Sequence, residues 1–247
     1  MSVTITERIR PTFIAEAYRD RQSICHLAFK DLLRNEVSGL PSTSYVLDIG
    51  CGSGIGREST TQEWIASQAQ ALWGVEPDSE VAVPTCFSQV WRSNLEDANI
   101  PKQSVDLAYA FMVLEHVENV PAFMERLSSS LKPGGVFLAA TINSKCFFAR
   151  VARVSGRLGL QEAVLKVARP QAVKDYHYPA VYRMNTRAAW AQLAKEYGFS
   201  KLDLLVIDSD EWFAYFPKRV RWSAHVVRAL FQMRRDTYPY LFLRVEK

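Results

Sequence analysis

Cysteine is scarce in this 247-residue chain: Cys25, Cys51, Cys86 and Cys146 are scattered without a Cys-x-x-Cys pair. Neither a zinc site nor a disulfide framework is suggested, and no metal ligand is assigned. No apolar run is long enough to span a bilayer, and residues 1–8 lack the apolar region of a signal peptide, so a cytoplasmic location is expected. Internal repeats and low-complexity tracts are missing as well. The net charge of +4 predicts no polyanion partner, and without an RNA-binding module or RNP-like strand, nucleic acid is disfavoured. What remains is 48% hydrophobic and 23% charged, enough for a sizeable core in one elaborated α/β domain spanning 1–247.

The chain is organised around Tyr45-Val46-Leu47-Asp48-Ile49-Gly50-Cys51-Gly52-Ser53-Gly54-Ile55-Gly56. A β-branched, apolar run that stops at alternate glycines reads as a buried strand and a tight turn where backbone passes close to a ligand. In an open α/β sheet that crevice takes a nucleotide or nucleoside. The dinucleotide fingerprint needs glycine at its first, third and sixth positions, and the strict alternation here satisfies no such register. Glu76 closes a second strand-like run, residues 71–75, where a carboxylate can accept hydrogen bonds from both hydroxyls of a ribose. Cys51, inside the turn, reads as a small packing residue rather than a nucleophile.

The segment Val46-Leu47-Asp48-Ile49-Gly50-Cys51-Gly52-Ser53-Gly54 resembles motif I of the class I S-adenosylmethionine-dependent methyltransferases. Three later stretches match in order: Gly74-Val75-Glu76-Pro77, residues 104–117 ending in Leu114-Glu115-His116-Val117, and Leu131-Lys132-Pro133-Gly134-Gly135. The resemblance is close over about residues 40–145 and one of architecture beyond. It implies a Rossmann-like, seven-stranded, mostly parallel sheet of order 3-2-1-4-5-7-6, its last strand antiparallel, with helices on both faces and helical insertions. It also implies a site. Asp48, with Gly50, Cys51, Gly52 and Gly54, would hold the methionine end of S-adenosylmethionine. Glu76 and Pro77 would take the ribose, Asn94 and Leu95 the adenine, and Phe111 and Met112 would wall the pocket.

Helical spacing of apolar residues over 12–36 predicts a helical leader within 1–40, with Tyr18 a candidate lid residue over the substrate. Strands are expected at 45–49, 71–76, 86–91, 105–112, 136–142, 202–207 and 240–245. Residues 57–70 and 121–130 read as helices. A third helix should begin at Thr186, as N-cap, and stop at Gly198. Lys132-Pro133-Gly134-Gly135 reads as a turn. Residues 144–184 and 209–237 are expected as helical cap insertions. The first carries eight basic residues against Glu162 and Asp175, and residues 217–235 carry six basic residues and no acidic one.

Methyl transfer from a sulfonium is an in-line displacement with a good leaving group, so alignment and exclusion of water matter more than any universal catalytic residue. For a hydroxyl acceptor, His116 is the first candidate base and His177 the second. A cofactor-shell role for His116 stays open. Some quinone-biosynthetic O-methyltransferases carry a Glu-x-x-Glu-His metal site here, but this chain has Met112 in place of the first carboxylate. Tyr176, Tyr178 and Arg183 are candidate substrate-wall residues. The resulting expectation is methylation, by preference at oxygen, of a small-molecule acceptor that is anionic or lipid-linked, with peripheral membrane contact and a homodimer left open. The alternatives are a non-catalytic S-adenosylmethionine-binding scaffold and a nicotinamide-dependent oxidoreductase.

Overall fold

An apolar run as unbroken as 105–111 suits a strand covered on both faces, because a half-exposed strand would alternate with polar residues. The computed structural model describes residues 4–8, 24–147, 149–151, 153, 180–207, 226 and 237–247. Its elements in chain order are β1 (Thr4–Arg8), α1 (Ile24–Ser38), β2 (Tyr45–Ile49), α2 (Thr60–Gln68), β3 (Ala71–Val75), β4 (Gln89–Trp91), a 3₁₀ turn (Leu95–Asp97), β5 (Val105–Phe111), α3 (Val120–Ser130), β6 (Leu131–Ile142), α4 (Arg187–Glu196), β7 (Lys201–Ile207) and β8 (Tyr240–Glu246).

The eight strands form one sheet in the order β1-β7-β8-β6-β5-β2-β3-β4. Strand β8 runs antiparallel to β6 and β7, and every other pairing is parallel. From β4 to β7 this is the expected 3-2-1-4-5-7-6 arrangement with its antiparallel last strand. Side chains along β2 and β5 alternate between two cores. Leu47, Ile49, Ala108 and Ala110 join a cluster with Phe123 and Trp190 on one face. Val46, Leu107 and Tyr109 join Phe29 and Leu33 of α1 on the other. The Phe29 ring lies 6.5 Å from Tyr109 and 6.2 Å from Phe242, so α1 roofs the middle of the sheet.

Two expectations are corrected. The leader is not wholly helical, because Thr4–Arg8 forms an eighth strand that pairs in parallel with β7 from Thr4↔Lys201 to Arg8↔Leu205. Thr4, Ile5 and Thr6 are β-branched, and β7 offers the edge they extend. The stretch Lys132-Pro133-Gly134-Gly135 is a bulge inside β6 rather than a turn before it. Val105 pairs with Leu131 but Leu107 with Val136, so the extra residues loop out of the ladder. Gly134 takes φ +78°, and its N–H donates to Lys247 O at 2.9 Å.

Helix α4 starts as expected, with Thr186 Oγ1 accepting from Ala189 N at 3.1 Å. Helix α2 begins at Thr60, later than expected, because the glycine turn runs on: Arg57 N donates to Gly54 O, and Arg57 itself has φ +64°. Among the described residues no helix is long and apolar enough to cross a membrane. Most of the two cap insertions, with Tyr18, Tyr176, His177 and Tyr178, lies outside the described residues.

Candidate active site

Parallel strands deliver their carboxyl ends to one edge of a sheet, and the edge at β2, β3 and β5 opens into a cleft of about 510 Å³. That size suits a single small-molecule ligand. Backbone at Gly50 forms its floor. Gly50 has φ +72°, and a Cβ there would collide with the Val113 side chain, so only glycine lets the chain turn this close. Gly54, at φ +102°, is packed as tightly on the Glu58 carbonyl. The N–H groups of Gly50 and Cys51 both donate to Val75 O, at 2.8 and 3.1 Å, which ties the turn to the end of β3.

Glu76 stands immediately after β3 and is buried. Its Oε2 accepts from Gly52 N at 2.9 Å and its Oε1 from Asp78 N at 3.0 Å, so the carboxylate is aimed before any ligand arrives. Pro77 continues this wall. Asn94 and Leu95 sit opposite, Asn94 exposed and Leu95 buried. Phe111 and Met112 close the β5 side, Met112 with φ +55° and its N–H donating to Ala140 O at 2.8 Å. A left-handed methionine at a cleft wall is a strained conformation held by its surroundings. His116 lines the same cleft.

Other expected residues lie beneath or beside it. Asp48 does not reach the described walls: it is 2% exposed, and its Oδ2 accepts from Tyr109 Oη at 2.8 Å and from Gln62 Nε2 at 3.2 Å. Burial pushes its carboxyl up to about 7, against the pull of those two hydrogen bonds and with Glu76 adding repulsion. Cys51 is buried against Gly74, where an added Cβ would come within 2.8 Å of its Sγ. Burial, then the charges of Asp48 and Glu76, lift this thiol far above its ordinary range and keep it protonated. Gly52 and Gly54 shape the turn without lining the cleft. Arg183 donates from Nη1 to Glu118 O at 2.6 Å.

Sequence reading overlooked Glu96, Val113, Val117, Glu118 and Phe123, all cleft-lining. Burial raises the Glu96 carboxyl, with Asp97 adding repulsion. Its position directly after Asn94-Leu95 was the available signal; Glu118 carried none. Among the described residues no group of three or more His, Cys, Asp or Glu side chains is arranged to hold a metal ion.

These residues fit an adenosine-bearing cofactor. Glu76 offers acceptors for two vicinal hydroxyls, the Asn94 amide can meet a purine edge, Leu95 supplies apolar contact, and the Cβ-free floor admits close backbone approach.

The profile of the family described as "Methyltransferase domain" matches residues 18–204. A ubiquinone biosynthesis O-methyltransferase of Paramagnetospirillum magneticum is 29% identical over 134 residues, 51% of this chain and 50% of that protein. The chain thus spans about half the length of this curated relative. Among solved structures, geranyl diphosphate C-methyltransferase from Streptomyces coelicolor, in complex with Mg²⁺, geranyl diphosphate and S-adenosylhomocysteine, superposes with TM-score 0.58 at 11% identity, over 89% of this chain and 78% of that one. Phosphoethanolamine N-methyltransferase 2 of Haemonchus contortus, also with S-adenosylhomocysteine, gives TM-score 0.55 at 13% identity, over 95% and 57%. Likenesses this remote show the fold alone, and the three proteins methylate, by name, at oxygen, carbon and nitrogen. The chain belongs to the methyltransferase-domain family, built on a Rossmann-like sheet.

Proposed function

We propose that the protein transfers a methyl group to a small-molecule acceptor, with a hydroxyl oxygen as the favoured nucleophile. The observation that carries this reading is the convergence in one cleft of the bare Gly50 backbone, the pre-aimed Glu76 carboxylate and the Asn94 amide, with His116 on the adjoining wall. The cofactor supplies a methyl carbon activated by attachment to a sulfonium. Glu76 grips hydroxyls, Asn94 and Leu95 hold the base, and Phe111, Met112 and Val113 exclude water from the reacting end. An imidazole nitrogen of His116 takes the proton of the acceptor hydroxyl as the new bond forms. The sequence resemblance to an O-methyltransferase supports oxygen over nitrogen or carbon.

The described walls contribute Glu76, Glu96 and Glu118 and no lysine or arginine. An anionic or lipid-linked acceptor therefore depends on the basic residues of 144–184 to meet its charge. Peripheral membrane contact, a homodimer and a cytoplasmic location belong to the same proposal.

Titration calorimetry with S-adenosylmethionine and S-adenosylhomocysteine tests the reading: both should bind, and no heat from either at millimolar concentration would end it. Glu76→Ala should weaken both at least about tenfold, since a hydrogen bond to a charged group contributes about 1.5–3 kcal/mol. His116→Ala should keep S-adenosylhomocysteine affinity while slowing methyl transfer to a phenolic probe. Lost affinity in that variant would make His116 part of the cofactor pocket. If the isolated chain methylates no acceptor of any class, the protein is a cofactor-binding scaffold instead.

A further inference from the structure

The loop that follows β5 supplies Met112, Val113, His116, Val117 and Glu118 to the cleft. Within it, His116 N donates to Val113 O at 2.9 Å. Further ties come from a segment far along the chain. Val181 N and Tyr182 N both donate to Glu115 O, at 2.7 and 3.1 Å, and Arg183 Nη1 to Glu118 O. Tyr182 takes φ +53° to make its contact, a strained conformation for a bulky residue.

Asn185 is the buried centre of this joint, with no solvent exposure. With its amide oriented so that both ends are satisfied, Nδ2 donates to Leu114 O at 3.2 Å, and Oδ1 accepts from Glu115 N at 3.2 Å and from Thr141 Oγ1 at 2.6 Å. One side chain thus reads the donor and the acceptor of consecutive loop residues, as a neighbouring strand would. Ser144 N donates to Asn185 O at 2.9 Å, which brings the end of β6 into the same knot. Thr141 Oγ1 also lies 2.7 Å from Glu115 Oε2, so one hydroxyl bridges the Asn185 amide and the Glu115 carboxyl. Burial raises the Glu115 carboxyl, against the pull of His116 and Thr141. The Glu115 side chain accordingly turns into the knot and is not a cleft wall.

We propose that Asn185 is a positioning residue for the cleft: by clamping the main chain at Leu114 and Glu115 it sets the loop that carries His116, and so couples residues 181–185 to ligand binding. This rests on the cleft being the cofactor site. Asn185 does not itself line the cleft, and its amide reaches the cleft loop through the main chain of Leu114 and Glu115.

The test combines calorimetry with residue-resolved amide hydrogen exchange on the full chain, using S-adenosylhomocysteine as the probe. On wild-type protein, saturating ligand should slow exchange at the amides of Glu115, Val181 and Tyr182 by about tenfold or more, although none of the three residues lines the cleft. Unchanged protection there, with the ligand bound, overturns the coupling whatever any variant does. Asn185→Ala should lower ligand affinity at least about tenfold and shift the His116 imidazole proton resonance, assigned with His116→Gln. Asn185→Asp should restore affinity at a pH where the new carboxyl is protonated and can donate to Leu114 O, and lose it where it is ionised. A folded Asn185→Ala that melts earlier but keeps wild-type affinity and the wild-type His116 resonance would reduce Asn185 to a structural residue and overturn the proposal. Absence of binding by wild type would instead remove the cofactor-site reading beneath it.

Discussion

Asp48 combines a position at the end of a strand with a carboxyl held up to about 7 by burial. The folded state therefore binds a proton that the unfolded state releases near 3.8. Stability from this group is full below that lower value and is lost as the pH rises toward 7, on the order of 4 kcal/mol at most. Asn can accept from Tyr109 and share a hydrogen bond with Gln62 without carrying charge. Asp48→Asn should thus melt within a degree or so of wild type at pH 4 and above it at pH 8, in paired thermal denaturations; a constant offset at both pH values would dismiss the account. Gly50→Ala is the opposite case. A left-handed alanine costs about 1 kcal/mol before its methyl meets Val113, and both cofactor affinity and melting temperature should fall. Gly50 and Asp48 were legible in the sequence as an ordered motif. The protonation of Asp48 was not, because it follows from burial, which depends on elements distant in sequence packing around the strand end.

Helix α1 is fastened to the turn that follows the glycines. Lys30 Nζ lies 3.0 Å from Glu58 Oε2, with the lysine side chain 7% exposed and the glutamate 63%. The asymmetry decides which substitution hurts. Glu58→Ala strands a buried ammonium, whereas Lys30→Met removes the charge and keeps the packing, so Glu58→Ala should destabilise more than Lys30→Met in denaturant titrations. Thr186→Ala removes the N-cap of α4 and should lower stability by about 1 kcal/mol with cofactor affinity unchanged. That cap was visible from Thr186 and Gly198 alone, since capping is local chemistry. The bulge at Lys132-Pro133-Gly134-Gly135 was not, because the same residues suit a turn, and only the pairing of Leu131 with Val105 before them and of Val136 with Leu107 after them keeps β6 a single strand.

At the scale of the whole sheet, local apolar pattern marked seven strands, and the family resemblance implied their observed arrangement. The cleft was legible where a residue type just past a strand sufficed, as with Glu76 and His116, and where the family resemblance pointed, as with Asn94. Glu118 and the knot around Asn185 were hidden, because they depend on segments about 65 residues apart meeting in space. Strand β1 was hidden for a related reason: five residues carry too little periodicity to outweigh the helical spacing that follows them.

That added strand has a bearing on how molecules of this protein treat one another. At the far flank β4 is only three residues long, too short a row of free amides and carbonyls to recruit a foreign strand. Strand β7 runs to seven, and β1 occupies five of those rungs. Removing residues 1–8 should leave S-adenosylhomocysteine affinity intact, since none of the described residues 4–8 lines the cleft, yet bare a long template for aggregation. Light scattering at rising protein concentration should then separate the shortened chain from the full one, and equal scattering would mean that β1 shields nothing.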